Sequence, residues 1–346
     1  MGRRVLVTGL GTFWGGRVAQ ALEADPTVEV IVGLDTTAPQ VELERTEFVR
    51  VDESYSILNR IVTAAQIDTI IHTFLVVSSA EMGAKRIHET NVIGTMNLFA
   101  AASQPGSTVR SVIVKSSTHV YGCGPKDPVF FRETSARTEP ARLPVERSLI
   151  EVESYVSDFA EDNPHVNVAL LRFGNVLGKD IVTPMSRLLE LPVVPHVFGY
   201  DPRIQFVHED DVVRAILFVL DSGVAGIFNV AGDGLLPWSE IAHICNKATV
   251  PLPPVGRGLV TLPLRLAGYD IPPELLQLLK YGRGADTRRL KRAGFRYEHT
   301  SAGAVEAFVE ALRLRRVVGD SAPQYQYESD VEQFFRHSPA VVRDTP

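Results

Sequence analysis

Cysteine is scarce in this sequence: Cys123 and Cys245 are the only two in 346 residues. Two such distant thiols exclude a disulfide framework and a cysteine-built metal site, and fit a reducing, cytoplasmic setting in which both are structural. Long apolar runs are lacking too. The opening RRVLVTG sets basic residues before apolar ones, but the run ends at Thr8-Gly9, too short for the core of a signal peptide, and no later run could span a bilayer. A soluble protein without a membrane partner is expected. Nor is positive charge in excess, since 35 Lys and Arg stand against 41 Asp and Glu, a formal net charge of -6. With no basic cluster interleaved with aromatics, nucleic acid is not an expected partner. Internal repeats and low-complexity tracts are also missing.

What is present is an alternation of short β-branched runs with helical patterns: VLVT (5–8), VEVIVGLD (28–35), TEFVRV (46–51), DTIIHTF (68–74), VRSVIVKSS (109–117) and VNVALLRF (166–173). Near-continuous apolar strands separated by amphipathic helices predict an α/β fold, a Rossmann-type doubly wound parallel sheet. After residue 173 the pattern loosens into proline-rich stretches at 191–202 and 250–258, although IFNV (227–230) reads as one more strand. The expected organisation is a dinucleotide-binding domain over 1–173, with its sheet completed by about 204–232. A smaller, interleaved substrate-binding subdomain takes 174–203 and 233–316, and 317–346 forms a tail or arm.

VLVTGLGTFWGGRVAQAL places Gly9, Gly11, Gly15 and Gly16 between the first strand and a helix. Glycine there permits a tight turn and lets a pyrophosphate approach the backbone N–H groups at the helix start. Asp35 ends the next strand, where a carboxylate accepts from ribose hydroxyls and repels a 2′-phosphate; no arginine adjoins it, which favours NAD over NADP. The competing reading is a glycine-rich turn that binds nothing.

TGLGTFWG, Asp35, Asp52, NVIGTMNL (91–98), SSTHVYG (116–122), LRFGNVLG (171–178), FVHEDDV (206–212) and DTRRLKRAGF (286–295) follow one order. With these motifs the chain, from about residue 3 to 312, resembles an extended short-chain dehydrogenase/reductase of the NAD-dependent epimerase/dehydratase family. It is most similar to the UDP-glucose 4-epimerase-like branch. The resemblance implies that Gly9, Thr12, Phe13, Trp14 and Gly15 lie along the cofactor pyrophosphate, that Asp35 holds the adenosine ribose and that Asp52 lies by the adenine. It further implies that Thr73, Phe74 and Leu75 follow the cofactor, with Asn91 and Ser116 in the same set. Ser117 would be the hydroxyl beside the substrate, and Asn175 and Arg203 would meet a nucleotide sugar. For Asn91 and Ser117, helix or strand-end capping is the alternative. A homodimer through two packed helices, at 86–103 and 145–160, is implied in the same way.

The family's hydride chemistry needs a tyrosine followed four positions later by a lysine whose charge favours the phenolate. In VERSLIEVE (145–153) those positions hold Val145 and Leu149, and none of the nine tyrosines is followed four residues later by a lysine. Val145, Leu149, Val152, Val156 and Phe159 instead form an amphipathic stripe, so the helix is expected to pack and to place an apolar wall near the nicotinamide. Thr12 replaces a loop glycine and would crowd the cofactor or bond to it. Phe74-Leu75 replace small residues and would narrow the site. Ile204 and Gln205 stand where the epimerases carry Arg and Asp, with Arg203 displaced by one. His119, two residues after Ser117, is either a histidine satisfied by neighbouring backbone or the replacement base; Tyr121 and Glu133 read as structural. The first functional reading is therefore an NAD-dependent, UDP-glucose 4-epimerase-like protein with a non-standard acid/base site. The second is a catalytically inactive NAD- or nucleotide-binding sensor or scaffold, and the third a reductase or hydroxysteroid dehydrogenase.

Overall fold

The structure is a computed structural model that describes residues 2–51, 54–80, 82–253, 269, 271–318, 334–335 and 338–342. The chain runs β1 (Arg3–Thr8), α1 (Phe13–Glu23), β2 (Val28–Asp35), β3 (Thr46–Arg50), α2 (Tyr55–Ala64), β4 (Thr69–His72), α3 (Ala84–His88), α4 (Gly94–Ala102) and β5 (Ser111–Ser117). It continues through β6 (Phe130–Phe131), α5 (Pro144–Asp162), β7 (Asn167–Phe173), β8 (Asn175–Leu177), α6 (Pro184–Glu190), β9 (Val193–Val197), β10 (Arg203–Ile204), β11 (Phe206–His208) and α7 (Glu209–Ser222). Then come β12 (Gly226–Val230), β13 (Leu236–Pro237), α8 (Trp238–Ile244), β14 (Ala248–Leu252), and helices at Pro273–Tyr281, Arg288–Arg292 and Ser301–Val318.

Seven parallel strands make the main sheet, in the order β12-β7-β5-β4-β1-β2-β3. Strand order reverses between β1 and β4, so a crevice opens beyond their carboxyl ends, where open α/β sheets take ligands. Both faces are covered. Leu58 and Ile61 of α2, Leu98 and Phe99 of α4 and Val145 and Leu149 of α5 cover one face, while Val18 and Leu22 of α1 and Ile216 and Val219 of α7 cover the other. This two-sided burial is why the strands read as apolar runs without alternation. A third cluster joins Leu188, Val197, Ile204, Trp238, Leu279 and Phe308 on the far side of the crevice.

Helix α5 starts with Pro144 in its first turn and ends at Asn163, whose amide donates to the Phe159 carbonyl. Its predicted stripe is buried throughout, and Phe159 stacks on Phe99 with ring centroids 4.7 Å apart. The described part of the C-terminal stretch packs back on the sheet domain: Phe334 and Ala340 are buried, and the Val342 N–H donates to the Ala64 carbonyl. Cys123 and Cys245 are free and buried, and burial pushes both thiols up to about 11, as inert structural cysteines require. No helix among the described residues is long and apolar enough to cross a membrane.

Candidate functional site

A cleft of about 250 Å³ lies beyond the ends of β1, β4, β5 and β7, lined by Thr12, Phe13, Trp14, Phe74, Leu75, Lys115, Ser116, Ser117, His119 and Asn175. Val176, Ile181, Met185, Glu274 and Leu278 close its far side. The sequence-predicted residues therefore divide into those that meet at the cleft and those that hold it up.

At the glycine loop, Gly9 adopts a φ of +76°, and a Cβ on Gly15 would stand 2.2 Å from the Gly9 carbonyl oxygen. Only glycine lets α1 begin so close to the turn. The Thr12 hydroxyl donates to the Gly9 carbonyl at 2.6 Å and accepts from the Gly15 N–H at 3.2 Å, as the N-cap of α1. Asp35 accepts from the Gly11 N–H at 2.9 Å and from the N–H and hydroxyl of Thr37. The carboxylate thus stands at the loop's flank, at the end of β2, where a ribose diol would lie. These groups fit the adenosine and pyrophosphate end of a dinucleotide. The other end is tighter, because Trp14 packs on Phe173 at 4.8 Å and Phe74 and Leu75 line the same space.

Thr73 and Asn91 are hydrogen-bonded within the protein. The Thr73 hydroxyl donates to the Thr8 carbonyl, locking β4 to β1. Asn91 lies in a π-helical turn, Glu89–Ile93, between α3 and α4, the kind of helical irregularity that often marks a functional region. It clamps both backbone groups of Val76 and donates to the Ser148 hydroxyl at 3.1 Å, so it fixes the loop after β4. Ser116 turns its hydroxyl to the Glu153 carboxylate at 2.6 Å, which in turn holds the Arg172 guanidinium. Arg172 donates to the Tyr121 hydroxyl, and Tyr121 donates to Asn229 Oδ1. Burial pushes the Tyr121 phenol above its ordinary value, so it is fixed as a neutral brace. Glu133 accepts from the Asn229 N–H in the same assembly.

Two expectations are corrected. Val145 and Leu149 do not wall the cleft: both are fully enclosed in the core, and neither lines the cavity. Arg203 is exposed on β10 outside the cleft lining, because its neighbour Ile204 takes the inward place in the third cluster. Gln205 is committed to the Gly232 carbonyl and the Ala285 N–H, and the Asn175 amide donates to the Gln205 carbonyl. Asp52 lies outside the described residues.

In the cleft, Ser117 Oγ and His119 Nδ1 lie 2.6 Å apart. The pair sits where β5 turns into a short 3-10 helix, Thr118–Tyr121, for which Ser117 is the N-cap. Burial, and then the charge of Arg283, hold the His119 imidazole well below its usual range, so it is neutral near pH 7 and its surroundings oppose the charged form. Two further cleft residues escaped the sequence reading. Glu274 accepts from the hydroxyls of Ser78 and Ser79 and from the Ser79 N–H, tying the loop after β4 to helix Pro273–Tyr281; a contact across some 195 positions leaves no sequence signal. Lys115 did leave one, as a lysine inside the apolar run VIVKSS, two residues before Ser117.

Residues 5–231 match the model of the NAD dependent epimerase/dehydratase family. An uncharacterized protein of Mycobacterium tuberculosis (strain ATCC 25618 / H37Rv) is 34% identical over 320 residues, 90% of this chain and 84% of that one. The dTDP-4-dehydro-6-deoxy-D-allose reductase of Streptomyces sp is 28% identical over 266 residues, 70% of this chain and 79% of that one. Among solved structures, the UDP-glucose 4-epimerase of Thermotoga maritima with UDP-glucose superposes with a TM-score of 0.70 at 21% identity, covering 90% of this chain and 99% of that one. The sheet order, the loop closed by Asp35 and the match over most of the chain agree, and the chain belongs to the NAD dependent epimerase/dehydratase family.

Proposed function

We propose that this chain is a cytoplasmic, NAD-dependent, UDP-glucose 4-epimerase-like protein in which the Ser117–His119 pair replaces the family's tyrosine and lysine. The observation that carries the reading is the 2.6 Å contact between Ser117 Oγ and His119 Nδ1 inside the cleft. NAD, when bound, supplies the acceptor and later the donor of a hydride. The Phe13 and Trp14 amides at the start of α1 and the Asp35 carboxylate would hold it. The chain's own residues manage the proton. A substrate hydroxyl gives its proton to Ser117 Oγ as the Ser117 proton passes to His119 Nδ1, and the reverse transfer restores the hydroxyl. Asn175 lines the substrate side of the cleft and Glu274 fixes the loop across from it. A homodimer belongs to the proposal, supported by exposed Ile93, Met96 and Ile150 on the two helical segments concerned.

The test is the near-ultraviolet absorbance of NAD-loaded protein mixed with UDP-glucose or UDP-galactose, with product analysis of the same sample. Reduced nicotinamide or interconverted sugar is expected, and His119→Ala should lower the rate by about 10²–10⁴-fold. A second reading, an NAD-holding sensor without turnover, is favoured by the burial of Val145 and Leu149. Bound NAD with neither reduction nor product would select it, and failure to bind NAD would remove both.

A further inference from the structure

Among the described residues that line the cleft, Lys115 is the sole lysine or arginine, and it comes from a strand interior where apolar residues are the rule. Successive strand residues point to opposite faces, so Lys115 shares its face with Ser117, one pleat deeper in the sheet. Its Nζ donates to the Leu75 carbonyl at 2.7 Å and stands 4.7 Å from the centre of the Trp14 ring. The ammonium is therefore held between three elements that meet at the switch point: the loop after β4, the end of β5 and the start of α1. A buried ammonium is costly, and a carbonyl and an aromatic face both favour it. Its field is felt nearby, since the His72 imidazole is held down by burial and then by the charge of Lys115.

We propose that Lys115 supplies, from β5, the positive charge beside the nicotinamide that α5 does not carry, and so sets which redox form of the cofactor the protein prefers. The idea rests on the NAD reading above. An ammonium beside the ring disfavours the positively charged oxidised nicotinamide and leaves the neutral reduced one unaffected. Hydride transfer from a substrate hydroxyl carbon, with the hydroxyl proton leaving through Ser117 to His119, moves one positive charge from the nicotinamide to the His119 imidazole. The carbon is oxidised to a carbonyl and the nicotinamide is reduced, and the return step reverses both. Lys115 is a positioning and electrostatic residue here, with no proton to transfer.

The experiment titrates the protein separately with NAD and NADH and reads tryptophan emission, because Trp14 lines the cleft whereas Trp238 is buried in the third cluster. The wild type should bind NADH more tightly than NAD by on the order of tenfold, as expected for two charges within several ångströms in a poorly solvated site. Lys115→Met, close in length and without charge, should bring the ratio to about one, while Lys115→Arg should keep it. Lys115→Gln serves the same purpose if the methionine variant does not fold. Binding of both forms with a ratio unchanged in the uncharged variants would overturn the role of Lys115 alone. Binding of neither form by the wild type would overturn the NAD reading and this proposal together.

Discussion

Helix α5 and the end of β5 both reach the neighbourhood of the cleft, yet they use their polar residues in opposite directions. On α5, Ser148 and Glu153 face inward, to Asn91, Ser116 and Arg172, and Val145 and Leu149 close the core behind them. On β5, Lys115, Ser117 and His119 just beyond it line the cleft. The helix braces the core, and the strand end lines the cleft. What separates the two elements is where their polar groups are committed, to core partners on α5 and to the cleft at the end of β5. The comparison breaks most directly at Glu153. Glu153→Ala leaves the Arg172 guanidinium buried without its carboxylate, and should destabilise the protein by about 3–5 kcal/mol in urea unfolding. A loss below about 1 kcal/mol, typical of an exposed ion pair, would show that α5 braces nothing.

Leu149 sharpens the same contrast from the apolar side. It has 0% exposure, and Leu149→Ala should cost about 2–5 kcal/mol through lost transfer energy and a residual cavity. NAD affinity in the surviving folded fraction should remain close to that of the wild type, because the side chain does not line the cleft. A variant that folds normally but loses NAD would return Leu149 to the site.

The sheet was legible because its signals are local. Each buried strand announces itself as a β-branched run, the glycine loop lies within eight residues, and Asp35 closes β2. The stripe on α5 was legible for the same reason, since its spacing is written in one helix. What could not be read is where a side chain goes once two elements meet. The family resemblance puts Val145 and Leu149 at the cleft, whereas the Glu153–Arg172 pair and the stacking of Phe159 on Phe99 hold the helix against the core. The Thr12 hydroxyl faced the same difficulty, since its capping role depends on a turn geometry that no single residue encodes. Glu274 is invisible for a third reason, as its partners Ser78 and Ser79 are remote in sequence.

His72 tests the β4 and β5 side through pH. It is fully buried between the Thr8 and Thr95 hydroxyls, and burial followed by the charge of Lys115 lowers it to about 3. The folded value lies below the unfolded one, so the unfolded chain takes up the proton first. Stability is then complete above the unfolded value and is lost as pH falls below it. Between pH 8 and pH 5 this group alone should remove about 2 kcal/mol, from an unfolded value near 6.5. Urea titrations at the two pH values, compared with His72→Gln, isolate its share from that of the carboxylates. An equal pH dependence in the variant would show that His72 is not the group responsible.

Thr12 gives the smallest effect and the finest distinction, because it separates a residue that binds from one that shapes. Its hydroxyl satisfies the Gly15 N–H, one of the amides that a helix start leaves without an intrahelical partner. Thr12→Ala should therefore lower stability by about 1 kcal/mol, whereas Thr12→Gly, which suits the extended cap conformation, should lower it by only a few tenths. Thermal melts distinguish the two. If Thr12 were instead a direct ligand of the pyrophosphate, both variants would weaken NAD binding alike and their melting temperatures would barely differ. Because the hydroxyl already bonds to Gly9 and Gly15 within its own turn, stability is the property that should move, and the order Thr, Gly, Ala is the signature of a cap.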